Sequence, residues 1–299
     1  MSVGPPDKPG RMLRRAMARG CVAMPGAFNA GVARLVERAG FDAVYVSGAG
    51  LANGAGGVPD IGLLGLDEVA QLAGYVARAV RIPAVVDADT GFGGPKDAAR
   101  AVVRLEQAGL AGLHIEDQVF PKRCGHLGGK ELVPAAEMVR KLRASVRARR
   151  DKYFLVIART DARAVEGFDA AIKRARLYLD AGADAVFPEA LETAAEFRRF
   201  AKEVKAPLMA NMTEFGRSPL LTVRQLDAMG YRMAIFPMTV FRVAMKAAER
   251  CLGDLKRRGT QRNIVGRMQT RAELYEMLDY DPSLSHWPAT PGRRKEAAP

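Results

Sequence analysis

The run Lys122-Arg123-Cys124-Gly125-His126 sets a thiol behind two cations and two residues ahead of an imidazole. Neighbouring cations favour thiolate and a nearby imidazole eases proton exchange, so this segment reads as one that gives or takes a proton. Cys21 and Cys251 lack such company and read as small buried hydrophobes. A second set of polar groups closes short apolar runs: Ser47, Asp87 with Asp89, Glu116 with Asp117, Arg159-Thr160-Asp161, Glu189, and Asn211 with Thr213. Asp60 stands in a glycine-rich stretch between two of these runs. A single such acid commonly binds a helix N-terminus or an arginine, but a whole set at run ends points to one shared site. Hard oxygen donors without paired His or Cys suit Mg²⁺ or Mn²⁺ better than zinc. His114, inside an apolar run, reads as core, and His286 near the C-terminus carries no case.

Those groups need a scaffold that brings run ends together. The apolar runs are 22–24, 43–47, 84–89, 112–117, 154–160, 185–189, 208–213 and 233–238. They are continuous rather than alternating in polarity, as strands covered on both faces should be. Between them the apolar positions recur at helical spacing, as with Val32, Leu35, Val36 and Ala39, or Ala99, Val102, Val103 and Leu105. The pairs Ala39-Gly40, Ala108-Gly109 and Ala181-Gly182 match helix ends capped by a left-handed glycine. Eight strand–helix repeats with right-handed crossovers predict an α/β fold, a TIM-type (β/α)8 barrel, with its active site at the C-terminal strand ends. Residues 11–280 read as one barrel domain with C-terminal helices, 1–10 as a flexible N-terminus and 281–299 as a flexible tail. The connections 48–66 and 118–133 are long and glycine-rich, as functional loops are. The glycines at 48–50 lack the third glycine of a dinucleotide fingerprint, and those at 91–94 lack the Lys-Ser/Thr of a P-loop.

Bulk properties narrow the function further. The chain has 299 residues, 48% of them hydrophobic, and no apolar run nears the roughly 18 residues a bilayer requires. Arg11, Arg14, Arg15 and Arg19 run straight into the first strand, so they read as a helix rather than a targeting segment. Three widely spaced cysteines form no disulfide framework, which favours a cytoplasmic setting. Net charge is +13, yet many arginines alternate with acids at helical spacing and no aromatics interleave with a basic stripe. A nucleic-acid-binding or otherwise non-catalytic basic barrel, the reading from a different class, therefore lacks its motif.

The motifs Tyr45–Gly48, Val86–Gly93, Gly112–Gln118, Lys122–His126, Ala158–Ala162, Phe187–Ala190, Asn211–Gly216 and Gln269–Arg271 occur in order over 12–280. In this the sequence resembles the isocitrate lyase/phosphoenolpyruvate mutase superfamily. The resemblance implies a Mg²⁺-dependent carbon–carbon lyase (Mn²⁺ as alternative) that splits 2-methylisocitrate into pyruvate and succinate, a step of propionate catabolism in the methylcitrate cycle. It implies Asp87 and Asp89 as metal ligands, with Asp60 and Glu116 supporting through water. Substrate contacts would fall on Ser47, Gly48, Ala49, Gly125, His126, Arg159, Glu189, Asn211, Thr213, Arg242 and Arg271. Ala49 stands where many relatives carry glycine; its N–H can still donate. Phe187, Ile235 and Pro237 would form an apolar niche for the substrate methyl. Cys124 is the expected acid that protonates the departing carbanion, and Tyr45, two residues before Ser47, the candidate base. Cleavage of isocitrate or 2,3-dimethylmalate are the nearest alternatives. The resemblance also implies a homotetramer whose C-terminal helices exchange between subunits, with small tricarboxylates rather than nucleic acid or membrane as partners.

Overall fold

The structure, a computed structural model, describes residues 7–123, 125–126, 128–281 and 283. The described residues form eight strands and twelve α-helices. In chain order these are α1 (Pro9–Arg19), β1 (Val22–Pro25), α2 (Ala30–Arg38), β2 (Val44–Val46), α3 (Gly48–Leu51), α4 (Leu66–Ala79), β3 (Ala84–Asp87) and α5 (Pro95–Gln107). Then follow β4 (Gly112–Glu116), α6 (Ala135–Ala148), β5 (Leu155–Thr160), α7 (Ala162–Val165), α8 (Phe168–Asp180), β6 (Ala185–Pro188) and α9 (Ala194–Glu203). Last come β7 (Met209–Asn211), α10 (Val223–Ala228), β8 (Met233–Phe236), α11 (Thr239–Arg258) and α12 (Arg271–Met277).

All strand pairings are parallel: β2 through β6 in sequence, and β1 with β8 with β7. Two parallel bridges, Gly26 with Tyr45 and Val186 with Leu208, join these groups. At the seams Ala27 N donates to Tyr45 O at 2.8 Å and Val186 N to Pro207 O at 3.1 Å. The ring is therefore closed in the order 1 to 8, the (β/α)8 barrel expected from the repeated runs.

The pleat sorts each strand into two columns. One column, with Met24, Tyr45, Val85, Leu155, Ile157, Phe187, Met209, Met233 and Ile235, fills the barrel interior. The other, with Val44, Val86, Leu113, Ile115, Val156, Ala158, Val186 and Ala234, packs outward beneath the helices. α1 closes the N-terminal end: Leu13, Ala16 and Met17 join the interior cluster. Arg14 Nη2 meets Asp184 Oδ1 at 2.7 Å there, and Arg14 Nε donates to Tyr153 O at 3.1 Å. The four arginines of the N-terminal stretch lie on this helix, as the sequence reading had it.

The closure has one tight point. A Cβ on Gly26 would lie 2.0 Å from Pro237 O, where β1 meets β8. Gly266, in contrast, has nothing within 4 Å of that position. We expect Gly26→Ala to lose about 1–3 kcal/mol of unfolding free energy by overpacking the seam, and more if the strands part. Gly266→Ala should stay within about 0.5 kcal/mol. Urea denaturation of both variants checks the contrast.

Candidate active site

Continuing the inward column past each strand gives Ser47 (β2), Asp87 and Asp89 (β3), His114 and Glu116 (β4), Arg159 (β5), Glu189 (β6), Asn211 and Thr213 (β7), and Pro237 (β8). The interior is apolar at depth and polar at its C-terminal mouth because this column changes character there. A cavity of about 290 Å³ opens at that mouth. It is lined by Tyr45, Ser47, Ala49, Asp60, Asp87, Gly125, His126, Arg159, Phe187, Glu189, Asn211, Thr213, Ile235, Pro237 and Arg242, all expected from the sequence. Asn53, Pro59, Lys122 and Met238 line it as well. A larger groove outside the barrel, of about 820 Å³, takes in Asp89 but none of the other inward polar residues, so the chemistry collects in the smaller cavity.

Several expected residues stand elsewhere. Gly48 begins α3 behind Ser47, whose Oγ caps that helix by accepting from Gly50 N at 3.2 Å. Glu116 is fully buried below the cavity. Arg271 is exposed at the start of α12 and is not brought to the cavity within one subunit. Cys124 and His286 lie outside the described residues. Asp117, next to Glu116 in sequence, faces outward and away from the acid set. It accepts from Tyr178 OH at 2.7 Å, Thr160 Oγ1 at 2.8 Å and Asp161 N at 2.9 Å. Cys21 and Cys251 are half-exposed rather than buried. Partial burial, with Asp227 beside it, still pushes the Cys21 thiol up to about 12, away from reactivity.

Charge compensation organises the cluster. Arg159 Nε lies 3.0 Å from Asp161 Oδ2 and 3.3 Å from Glu116 Oε2, and its Nη2 lies 3.4 Å from Glu189 Oε2. Its guanidinium also sits 5.1 Å from the centre of the Phe187 ring. Glu189 further receives His126 Nε2 at 2.7 Å and Asn211 Nδ2 at 3.3 Å from both oxygens. Burial would raise Glu189, but Arg159, His126 and Lys130 together hold it far below the usual carboxylate range. Glu116 meets the same arginine, yet neither of its oxygens accepts a hydrogen bond. Burial therefore carries Glu116 well above the usual range, with Arg159 only opposing.

On the opposite wall Lys122 bridges Asp60 and Asp89, at 2.7 Å from Asp89 Oδ1. Burial raises Asp89 to about 6 against the pull of Lys122, whereas His114, Lys122 and Arg159 outweigh burial at Asp87 and lower it. His114, read as core, is buried but belongs to the site. Its Nε2 meets Tyr45 OH at 2.7 Å, and its Nδ1, without a hydrogen bond, lies 3.7 Å from Asp87 Oδ1. Burial lowers His114 to about 4, so the ring is neutral. Burial, then Asp87, pushes the Tyr45 phenol well above 10. A phenol so raised gives up its proton only with a partner, and the neutral His114 Nε2 that faces it at 2.7 Å is placed to be one. The parity of 112, 114 and 116 was the available signal for His114.

The donor set fits a hard divalent cation bound in the Mg²⁺ manner. Among the described residues no three His, Cys, Asp or Glu side chains close into a cage. Mg²⁺ keeps most of its waters and needs only one or two carboxylates plus substrate oxygens. Asp87 on the cavity wall and the unbonded oxygens of buried Glu116 are acceptors of that kind.

A (β/α)8 barrel whose mouth gathers carboxylates, an arginine and amide donors around a small cavity defines a barrel enzyme for polyanionic acids. The chain belongs to the phosphoenolpyruvate phosphomutase family, whose model matches residues 13–256. It is 50% identical over 277 residues to the 2-methylisocitrate lyase of Aeropyrum pernix, covering 92% of this chain and 89% of that one. Among solved structures, 2,3-dimethylmalate lyase, a PEP mutase/isocitrate lyase superfamily member, superposes with a TM-score of 0.86 at 35% identity, covering 91% of this chain and 92% of that one. Phosphonopyruvate hydrolase in complex with oxalate and Mg²⁺ superposes with a TM-score of 0.82 at 31% identity, covering 91% and 95%.

Glu189→Gln tests the compensation. The folded value of Glu189 lies below its ordinary 4.5, so its contribution is full above that pH and disappears as pH falls through the folded value. At pH 7 the variant should be about 3 kcal/mol less stable, the low end for breaking a buried pair because Arg159 keeps Asp161. Unfolding curves at pH 7 and pH 4 should show the gap narrowing at the lower pH.

Proposed function

We propose that this chain is a Mg²⁺-dependent lyase that cleaves 2-methylisocitrate to pyruvate and succinate by retro-aldol chemistry. The carrying observation is the cavity itself, where an acid wall, an arginine–amide wall and an apolar floor of Phe187, Ile235 and Pro237 meet. The similarity to 2-methylisocitrate lyase over nine-tenths of the chain supports the same reading.

Asp87 and Asp89 would hold the cation, with Asp60 and Glu116 reaching it through water; Mn²⁺ would suit the same donors. When bound, the metal supplies Lewis-acid polarisation of the substrate hydroxyl and the adjacent carboxylate. Arg159, with Asn211 and Thr213 as neutral donors, stabilises charge developing on the succinate half. Arg242 reaches the cavity while donating to Glu214 O at 2.7 Å, and it joins them. Ser47 and the backbone N–H groups of Gly48, Ala49 and Gly125 orient the substrate carboxylates. Cys124 gives its thiol proton to the carbon as the C–C bond breaks. Tyr45 is the candidate base: it takes the substrate hydroxyl proton while passing its own to the neutral His114 Nε2.

The same reading includes a homotetramer with exchanged C-terminal helices. It is supported by α11, none of whose 20 residues is buried in one subunit, and by the remoteness of Arg271 from the cavity. No helix among the described residues is long and apolar enough to cross a membrane.

A pyruvate-release assay with 2-methylisocitrate, isocitrate and 2,3-dimethylmalate tests the substrate. A methyl-sized apolar niche contributes about 1–3 kcal/mol, so kcat/KM should favour methylisocitrate by roughly 10–200-fold. Ile235→Phe should erode that preference, and equal or better kcat/KM for isocitrate would leave only the broader lyase reading. For the metal, calorimetric titration with Mg²⁺ should show saturable binding to the wild type and binding at least roughly tenfold weaker to Asp87→Ala. EDTA should abolish activity and added Mg²⁺ restore it; a chelated enzyme that keeps full activity would remove the metal from the mechanism.

A further inference from the structure

The turn after β7 carries strain that the reaction outlined above does not use. Phe215 has φ of 59° and is 95% exposed, so neither its backbone nor its burial favours the conformation. Non-glycine residues hold such angles only where their surroundings over-determine them, commonly at functional sites. Here the surroundings are Glu214, gripped by Thr239 Oγ1 and Arg242, and the Arg242 guanidinium 5.1 Å from the Phe215 ring centre.

The product of this strained turn is a backbone donor aimed at the His126 ring, with a side-chain donor on the His126 carbonyl. Arg217 N donates to His126 Nδ1 at 2.9 Å, and Arg217 Nε reaches His126 O at 3.3 Å. An imidazole nitrogen that accepts an N–H carries no proton, so the proton of neutral His126 must sit on Nε2. That nitrogen faces Glu189 Oε1 at 2.7 Å, to which it donates. Asn211 Nδ2, 3.4 Å from the same nitrogen, is turned to Glu189 instead, because Asn211 Oδ1 accepts from Thr213 N at 3.0 Å. The approach leaves no space: a Cβ on Gly216 would lie 2.6 Å from His126 Nδ1 and 2.9 Å from Cε1.

We propose that the turn 214–217 is a positioning device for His126. Gly216 admits the ring and the backbone N–H of Arg217 selects its Nε2–H tautomer, so that His126 and Glu189 present one fixed wall to the substrate. The consequence for turnover rests on the lyase reading above; the tautomer does not.

The chain has three histidines, so ¹⁵N-histidine labelling gives a long-range ¹H–¹⁵N spectrum that a His126→Gln sample assigns. The wild type should show the Nε2–H pattern for His126. Gly216→Ala should lose that pattern and reduce kcat on the order of 10–100-fold, as misplacement by about an ångström does. Its Mg²⁺ affinity should be unchanged, while its unfolding midpoint should fall modestly, because the ring that makes way gives up part of its contact with Glu189. Arg217→Ala, which keeps the backbone N–H, should retain the tautomer and stay within about threefold in kcat. A Gly216→Ala spectrum identical to wild type, or an Arg217→Ala variant as impaired as Gly216→Ala, overturns the proposal. If the wild type cleaves none of the three acids, the lyase reading fails while the spectra still decide the tautomer.

Discussion

The guanidinium of Arg159 is the interaction on which the site depends. Asp161, Glu116 and Glu189 come from three adjacent strands and are at most 1% exposed. A carboxylate withdrawn from water without a partner costs several kcal/mol, so these groups share a barrel mouth because Arg159 lies among all three, Lys130 meets Asp161 as well, and burial holds Glu116 toward its neutral form. Arginine suits this place better than lysine because its planar fork meets several carboxylates at once and its face can lie over an aromatic ring, here Phe187. Lys122 does the equivalent work for Asp60 and Asp89 on the facing wall. The two cations divide the cavity into an acid side suited to a metal and an arginine–amide side suited to substrate carboxylates.

The alternation of the strands determines which polar groups can take part at all. Glu116 and Asp117 are consecutive acids of the same run, yet the pleat sends one under the cavity and the other out beneath α8. Asp117, Thr160, Tyr178 and Arg174 form a buried outer network, and Arg174 Nη1 donates from it to Val133 O at 2.9 Å. That bond fixes the point where the loop carrying Lys122 and His126 returns to the barrel. The outer network thus ties down the end of that loop, while the inward column supplies the groups that face the cavity. A buried acid set can serve both ends only because neighbouring residues of one strand never share a face.

The barrel was legible in the sequence because strands covered on both faces leave continuous apolar runs, and eight of these alternate with helical patterns. Most of the cavity was legible for a related reason. A polar residue closing an apolar run marks the strand end, and in this fold strand ends converge. Ser47, Asp87, Arg159, Glu189, Asn211 and Thr213 were all read this way. What run ends do not carry is direction and distance across strands. His114 read as core because its neighbours in sequence are apolar, while its partner Tyr45 is 69 residues away. Lys122 was seen only beside Cys124, although its ammonium spans two acids from other parts of the chain. The base role given to Tyr45 came from its place near Ser47; its burial, which decides how firmly it keeps its proton, depends on the closed barrel. Residue types and their order along the chain therefore determined the architecture and the inventory of chemistry. Which groups meet, which are neutral and which face away were decided by the tertiary structure, because burial and charge pairing act through space between residues that are remote in sequence.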